Sequence, residues 1–433
     1  MDRGKWSFIY NLLQFSLLPL SPLLLLYLFS RAKYRSQLPM RLGMFSDCSR
    51  KGSPVIWIHA LSLGEVNAAW PFIKKVRKNW PDALLLLTAT TKTGLDALKD
   101  KASQLDQPFC VTVMPFDSIV IVNKFLRHYR PDCFVLIETD VWPNTIWSLE
   151  HAGIPSFFAS GSISSKAADM SGPVRDFFKE VYNSFSLISM QSESDAERLV
   201  SLGIDREKVL CLGNLKFDID LPDISSTDRL SLREQFGFAH NDPILVLGST
   251  HAGEEAIFLR TYLELKKHMP DLKMVIAPRD IKRSEEIHRL AVSLGVKALT
   301  RTGLLSDRGH VSETLILDTL GELAGCYGIA DLAFVGGSLV PVGGHNLFEP
   351  AARGVPVIFG PYTESCDDMA KVLTDRYAGE RITEEGLPDR LLELLPDREQ
   401  LLAMGERARD VVVSLRGAVD MHIEALERLL SGD

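Results

Sequence analysis

The chain has 433 residues and 46% hydrophobic content, enough for two or three compact domains, which excludes general disorder. Its formal charge of −8 is uneven, because residues 1–51 hold eight Lys and Arg against two Asp and Glu. A basic front on an acidic body argues against nucleic-acid binding and favours contact with anionic phospholipid or a phosphorylated glycolipid.

The six cysteines contain no CxxC pair and no spacing typical of a dense disulfide framework, so a reducing compartment fits best. The ten histidines are scattered and contain no HExxH motif. We therefore expect no metal and no cofactor.

The chain begins with a predominantly apolar stretch, Phe8–Phe29, about as long as a helix that crosses a bilayer. The positive-inside rule places the following part of the chain in the cytoplasm, because the stretch ends at Arg31, Lys33 and Arg35. We predict a membrane anchor and basic collar over residues 1–35. Two prolines in the stretch leave a helix lying in the interface as an alternative, and a cleaved signal peptide is a further one.

After this segment, short apolar runs alternate with helical stretches, as in parallel sheets covered on both faces. We predict a first domain over 36–212, a linker over 213–242 and a second domain over 243–433. The first domain has predicted strands at 55–59, 84–87, 109–114, 134–137, 156–159 and 187–190. The second has predicted strands at 244–247, 273–276, 314–317, 332–335 and 356–359. Ligands of such sheets bind outside the carboxyl ends of the strands, so the cleft between the domains is the expected site.

The first strand leads through Gly64 to Glu65 at the start of a helix. A carboxylate there is a candidate general base, and pairing of a first-turn acid with the helix dipole explains it equally well. Further along the helix, four basic residues predict contact with the acceptor or with anionic headgroups, or a solvated face: Lys74, Lys75, Arg77 and Lys78.

The second domain opens with a strand that runs into Ser249 and Thr250, whose hydroxyls are candidates for ligand contact or ordinary helix capping. Arg279, after the next strand, supplies a cation for a phosphate or carboxylate, although a single arginine at a strand end is more often a surface residue.

The stretch 334–351 has an apolar strand, several glycines and a helix start. Glycines let main-chain N–H groups approach a phosphate, and a helix N-terminus favours negative charge there. Asn346 and Glu349, three residues apart, share a helical face suited to a ribose. A glycine-rich turn without a ligand is the alternative.

These stretches together resemble the family of transferases of 3-deoxy-D-manno-octulosonic acid (Kdo). The matching motifs are RLG at 41–43, IHALSLGE at 58–65, ETDVWPN at 138–144, QSESDAER at 191–198, GNLKFD at 213–218, GSTHAGEE at 248–255 and FVGGSLVPVGGHNLFEPA at 334–351. The resemblance implies an α/β fold of the GT-B type, with two doubly wound Rossmann-like domains facing across a cleft. It also implies inverting transfer of Kdo from CMP-Kdo to a hydroxyl of a lipid A precursor (lipid IVA) in lipopolysaccharide inner-core synthesis. The expected location is the bacterial inner membrane, with the catalytic domains on the cytoplasmic side.

By motif position, the resemblance makes Glu65 the catalytic base. It makes the following residues the donor site: Ser249, His251, Arg279, Ser338, Gly343, Gly344, Asn346 and Glu349. The segment 160–167 departs from the family pattern, because Ser162 and Lys166 stand where arginines are usual. If those cations contact the acceptor or donor, this chain recognises a variant lipid A or binds its substrate less tightly.

Two other functions remain open at this point. The first is another GT-B glycosyltransferase or epimerase that uses a UDP-sugar, because a fold does not fix a chemistry. The second is an inactive glycolipid-binding homologue, suggested by the altered segment 160–167.

Overall fold

The computed structural model describes residues 4–17, 19, 22, 26, 29–31, 35–48, 53–106, 108–139, 141–163, 170–218, 225–307 and 313–431. The chain divides into two compact units. The first contains residues 1–220 and 416–433, and the second contains residues 221–415.

The first unit is built on a parallel seven-stranded sheet. Its strands are β1 Val55–Ala60, β2 Leu84–Ala89, β3 Phe109–Val113, β4 Cys133–Ile137, β5 Ser156–Gly161, β6 Leu187–Met190 and β7 Val209–Cys211. Their order in the sheet is β3-β2-β1-β4-β5-β6-β7. Its first helices are α1 Lys5–Leu17, α2 Leu38–Arg41, α3 Leu63–Asn79, α4 Lys92–Ala102, α5 Ile119–Tyr129, α6 Pro143–His151, α7 Gly172–Asn183 and α8 Glu193–Ser201.

The second unit repeats this architecture with another parallel seven-stranded sheet, in the order β10-β11-β9-β8-β12-β13-β14. The strands are β8 Ile244–Thr250, β9 Lys273–Pro278, β10 Ala298–Thr300, β11 Thr314–Ile316, β12 Leu332–Val335, β13 Val357–Phe359 and β14 Gly379–Arg381. The helices are α9 Ser226–Gln235, α10 Glu254–His268, α11 Ser284–Ser293, α12 Arg301–Asp307, α13 Leu323–Ile329, α14 Phe348–Ala352, α15 Asp367–Asp375, α16 Leu387–Leu394 and α17 Arg398–Leu415.

The central strands are buried along their whole length because helices cover both faces of each sheet. All six residues of β1 and all six of β2 are buried. Each sheet therefore has two apolar core layers, one on each face. The predicted fold class, two doubly wound parallel sheets, is confirmed.

In each sheet the chain order reverses beside the first strand of the unit, which creates a crevice at the carboxyl ends of the strands. This switch point lies between β1 and β4 in the first unit and between β8 and β12 in the second. Most residues predicted to be functional follow one of these strands.

The last helix, α18 Ala418–Ser431, belongs to the first unit, whereas the sequence placed residues up to 433 in the second domain. Ile423 and Leu426 of α18 lie in the core of the first unit. Burial of each such side chain contributes about 1.5–3 kcal/mol, which holds the helix there. The predicted linker is also shorter than 213–242, because a short 3₁₀ turn at Leu215–Asp218 packs on the first unit and α9 belongs to the second.

The N-terminal helix α1 packs on the first unit through polar and aromatic side chains. Tyr10 Oη donates to Asp117 Oδ2 at 3.1 Å, Gln14 Nε2 donates to the main-chain oxygen of Asp117 at 2.9 Å, and Asn11 Nδ2 donates to Asn144 Oδ1 at 2.8 Å. In the part of the chain that the structure describes, no helix is both long and apolar enough to span a bilayer. Part of the predicted apolar stretch Phe8–Phe29, namely residues 18, 20, 21, 23–25, 27 and 28, lies outside the described residues.

A disulfide joins Cys48 to Cys110, which lie 62 residues apart in sequence with their Cα atoms 5.8 Å apart. It connects the segment after α2 to the edge strand β3. The cysteine spacing did not predict this link.

Candidate active site

Glu65 lies at the carboxyl edge of the first sheet, on the first turn of α3 directly after β1. Its side chain is buried, at 7% exposure. Thr139, which follows β4, donates its hydroxyl hydrogen to Glu65 Oε1 at 2.7 Å, and the Leu61 main-chain N–H donates to Oε2. The carboxylate is thus held in a fixed orientation at the switch point, as a general base requires.

Glu138 and Lys216 form an ion pair beside this carboxylate. Lys216 Nζ lies 2.9 Å from Glu138 Oε2, while the buried Glu138 Oε1 has no hydrogen-bond partner among the described residues. Glu138 also has a φ of 61°, a left-handed conformation that costs energy in a residue with a side chain. Both residues lie in motifs that the sequence shows, but their pairing was not predicted because they are 78 residues apart.

Ser160, next to the last residue of β5, has a φ of 56° and is fully buried. Its main-chain N–H donates to His422 Nε2 at 3.1 Å, and its Oγ accepts the Leu215 N–H at 3.2 Å. Burial lowers the pKa of His422 to about 4, so this imidazole is neutral and accepts from Ser160 while its Nδ1 donates to the Ala418 carbonyl. This network fastens α18 to the end of β5.

The segment that departs from the family pattern is only partly described. Ser162 is exposed, and residues 164–169, including Lys166, lie outside the described part of the chain. Asp140, in the motif at 138–144, lies outside it as well.

The predicted basic face of α3 is smaller than the sequence indicated. Lys74 and Lys78 are exposed, and Lys75 Nζ pairs with Asp420 Oδ1 at 2.9 Å. The prediction for Arg77 as a surface contact is wrong, because its side chain is buried at 7% exposure. Its guanidinium donates to the main-chain carbonyls of Trp80, Pro81, Ala83 and Pro108.

Asp218, the first acid of a DxD pattern, accepts two main-chain hydrogen bonds. Its Oδ1 accepts the Gly417 N–H at 2.8 Å, and its Oδ2 accepts the Val419 N–H at 2.5 Å. Both donors lie at the start of α18, so the carboxylate caps that helix. Asp220 lies outside the described residues, and among those described no three His, Cys, Asp or Glu side chains cluster as metal ligands.

In the second unit, the glycine turn after β12 is bound to Glu254, at the start of α10. Glu254 is fully buried, and its Oε2 accepts the N–H groups of His251 and Gly337, each at 2.8 Å. Its Oε1 accepts those of Ser338 at 3.1 Å and Leu339 at 3.0 Å. The prediction that this turn offers its N–H groups to a phosphate is therefore wrong for Gly337, Ser338 and Leu339.

Three predicted donor-site residues stabilise the same loop. Ser338 Oγ accepts the Gly360 N–H at 2.9 Å. The N–H groups of Gly343 and Gly344 both donate to the Gly337 carbonyl oxygen, at 3.1 and 2.7 Å. Both glycines have positive φ values, 108° and 79°, which explains glycine at these positions.

Ser249 is the third strand-end residue with a positive φ, 55°, and it interrupts the pairing of β8 with β9. Neither it nor Thr250 caps α10, because the N-cap residue is Gly253. Thr250 instead donates its hydroxyl hydrogen to Glu255 Oε1 at 2.9 Å, and Arg283 pairs with the same carboxylate at 2.8 Å.

Asn346 and Glu349 adjoin, as their spacing predicted. Asn346 Nδ2 lies 3.4 Å from Glu349 Oε1, and Asn346 Oδ1 accepts the Phe348 N–H at 2.9 Å. Burial raises the pKa of Glu349, while Asn346 and Arg353 oppose that shift. An exposed amide beside a half-buried carboxyl provides the donor and acceptor atoms that a ribose needs.

His251 and His345 meet at the switch point of the second sheet. Their Nε2 atoms are 2.7 Å apart, and their rings stack with centroids 5.0 Å apart. Burial, then the charge of Arg279 and then His251, lower the pKa of His345 to about 4. Sequence reasoning named His251 and Arg279 but gave His345 no role, because it lies 94 residues from its partner.

Solved structures show the same fold as this chain. A glycosyltransferase from Rickettsia africae matches it with a TM-score of 0.61 and 13% identity, covering 88% of this chain and all of that one. UDP-GlcNAc 2-epimerase from Neisseria meningitidis, bound to UDP-GlcNAc, matches with a TM-score of 0.61 and 14% identity, covering 86% of this chain and 99% of that one. These likenesses show the fold, which is of the GT-B type.

Sequence comparison gives the family. Residues 36–219 match the model of the 3-deoxy-D-manno-octulosonic-acid transferase (kdotransferase) family. The 3-deoxy-D-manno-octulosonic acid transferase of Haemophilus influenzae is 30% identical, with 98% of this chain and 99% of the relative covered. That of Bordetella pertussis is also 30% identical, with 99% of each covered. This chain belongs to the Kdo transferase family and is a glycosyltransferase.

Proposed function

We propose that this protein transfers Kdo from CMP-Kdo to a hydroxyl of a lipid A precursor, lipid IVA, in lipopolysaccharide inner-core synthesis. Family membership supports Kdo as the transferred sugar. The observation that carries the mechanism is the buried Glu65 carboxylate, held by Thr139 and Leu61 at the switch point of the first sheet.

The proposed reaction is a single displacement with inversion. The acceptor oxygen attacks the anomeric carbon of Kdo, and its proton passes to Glu65. The bond from the anomeric carbon to the phosphate oxygen breaks, and its electron pair leaves with CMP. A hydroxyl is a poor nucleophile until its proton is removed, and the Glu65 carboxylate accepts that proton.

The second unit binds the donor in this proposal. Asn346 and Glu349 supply hydrogen bonds for the ribose, and the exposed guanidinium of Arg279 supplies charge for the phosphate. Ser338, Gly343 and Gly344 shape the loop in this proposal, because the Ser338 hydroxyl and the two glycine N–H groups are already engaged in hydrogen bonds. Ser249 remains a predicted donor contact.

We place the protein on the inner membrane with both units on the cytoplasmic side. Polar and aromatic side chains of α1 contact the first unit, and five of its apolar side chains are exposed: Phe8, Leu12, Leu13, Phe15 and Leu17. Each is more than half exposed, the pattern of a helix that lies in the bilayer interface. Lys74 and Lys78 add positive charge for anionic headgroups.

Two variants test the membrane assignment in vesicle sedimentation with anionic phospholipid. Replacing Phe8, Leu12 and Phe15 by Ser should reduce binding strongly, because each loses its apolar contact with the bilayer. Lys74→Gln with Lys78→Gln should mainly reduce the salt-sensitive part of binding. Equal binding by the serine variant and the wild type would refute the role of α1.

The experiment for the function is product mass after incubation of the purified chain with CMP-Kdo and lipid IVA. A mass increase of one or more Kdo units is the expected result, and it should be lost with Glu65→Gln. Conversion of UDP-GlcNAc instead would favour an epimerase or a UDP-sugar transferase. Binding of lipid IVA without turnover of either donor would identify an inactive homologue.

A further inference from the structure

Only one hydrogen can lie between the facing Nε2 atoms of His251 and His345. With the Nε2 atoms 2.7 Å apart, one nitrogen donates and the other accepts. His251 follows β8 and His345 lies in the loop after β12, so the pair spans the two strands that flank the switch point. Each Nδ1 has no hydrogen-bond partner among the residues described, and so remains available to a ligand.

The charged side chains around this pair do not supply it with a carboxylate partner. The charged groups on the surrounding elements are Arg279 after β9, Glu254 on α10, Glu349 on α14 and Glu364 after β13. Glu254 is engaged by four main-chain N–H groups. In the described part of the chain, no carboxylate is hydrogen-bonded to either imidazole, while Arg279 contributes positive charge.

We propose that His251 and His345 bind the phosphate of the donor nucleotide and take up one proton from solvent as that phosphate becomes the leaving group. This inference rests on the proposed function, which assigns the nucleotide to the second unit. Bound to Kdo, the phosphate is a diester with one negative charge. Released as CMP, it is a monoester with a charge of about −1.5 to −2.

The increasing negative charge on the phosphate favours protonation of one of the paired imidazoles. An anion within hydrogen-bonding distance raises the pKa of a histidine by about 1–3 units. The pKa of His345 is about 4 in the free protein, and the phosphate should raise it. The protonated pair and Arg279 then stabilise the product state and the transition state more than the bound donor, which favours bond breaking.

The step balances without another reactant. The anomeric carbon–oxygen bond breaks with its electron pair on the phosphate oxygen, and the acceptor oxygen forms the new bond. The acceptor proton goes to Glu65, and a separate proton from bulk water goes to the imidazole pair. Nothing is oxidised or reduced.

Calorimetry of CMP binding at pH 6.0, repeated in buffers of different ionisation enthalpy, measures the protons taken up. We expect uptake of a fraction of one proton by the wild type, and less by His345→Gln and His251→Gln. CMP titrates itself, but that contribution is common to all variants and cancels in the comparison. His240→Gln is the matched control, because His240 pairs with Glu234 on the surface of the same unit.

Turnover gives a second readout. His345→Gln should lower kcat by about 10-fold or more while changing the donor KM less, since the charge develops after binding. Equal proton uptake in wild type and both variants, with correctly folded protein by circular dichroism, would overturn the inference. Absence of CMP binding in the wild type would instead refute the donor assignment in the proposed function.

Discussion

Thr139 donates its hydroxyl hydrogen to Glu65 Oε1 at 2.7 Å, across 74 residues of sequence. The two residues follow β4 and β1, which are neighbours in the sheet. Because parallel strands end at the same edge, a residue after one strand reaches the residue after the next. The bond fixes the carboxylate that we assign as the base.

Glu65→Gln should lower kcat by the roughly 10²–10⁴-fold typical of losing a general base, with little change in CMP binding. Either Thr139 or the Leu61 N–H would also lose its acceptor, so we expect a stability loss of about 0.5–1.5 kcal/mol. Both kcat and melting temperature should be measured on the same variant. Turnover close to wild type would remove Glu65 from the mechanism.

Thr139→Val is the companion variant, because it keeps the shape and the base but removes the hydrogen bond. Loss of about 0.5–1.5 kcal/mol of transition-state stabilisation corresponds to about 2- to 13-fold in kcat. A larger loss than that of Glu65→Gln would mean that Thr139 itself contacts the substrate.

Glu254→Gln should destabilise the second unit, because at least two buried N–H groups would lose an acceptor at about 1–3 kcal/mol each. Urea unfolding measures the loss. Glu264→Gln, on the exposed side of the same helix, is the control and should change stability by less than about 0.5 kcal/mol. If the two variants were equally stable, Glu254 would not hold the glycine turn.

Asn346→Ala and Glu349→Ala should raise the KM for the donor more than that for the acceptor. One lost hydrogen bond costs about 0.5–1.5 kcal/mol, or about 2- to 13-fold in KM. Steady-state kinetics with each substrate varied in turn separates the two effects, with Asn241→Ala as a control in the same unit. An effect on the acceptor KM alone would contradict the donor assignment.

His422 should make stability depend on pH. Its pKa is lowered to about 4 in the folded protein, against about 6.5 when unfolded. Its contribution is therefore present above pH 6.5 and is lost as the pH falls from 6.5 to 4, because the unfolded state then binds more protons. The loss should reach about 3 kcal/mol.

Urea unfolding at pH 7.5, 6 and 4.5 tests this expectation. His422→Gln keeps an oxygen to accept the Ser160 N–H but does not titrate, so its stability should fall less over the same interval. Parallel curves for variant and wild type would show that His422 does not contribute to the pH dependence.

Asp218→Asn should weaken the cap of α18 and destabilise the first unit by about 0.5–2 kcal/mol, measured by thermal unfolding.

EDTA should leave the activity of the wild type unchanged, since Arg279 and the imidazole pair can stabilise the charge of the departing monophosphate. Activity that EDTA abolishes and Mg²⁺ restores would show that a metal takes part.

Sequence patterns predicted most strands of both sheets but missed three: β7, β10 and β14. Each has three residues and lies at an edge of its sheet. An edge strand is covered less than a central one, so it lacks the continuous apolar run that identifies a strand such as β1. The residues of β10, for example, are all half-buried.

The sequence by itself determined the family, the parallel sheets and the placement of Glu65, Asn346 and Glu349, because these depend on local runs and short spacings. Only the tertiary structure decided what distant side chains do. It bound the glycine-turn N–H groups to Glu254, buried Arg77, and brought His345 to His251. A hydrogen bond acts over about 3 Å, and sequence distance does not say which partners the fold brings that close.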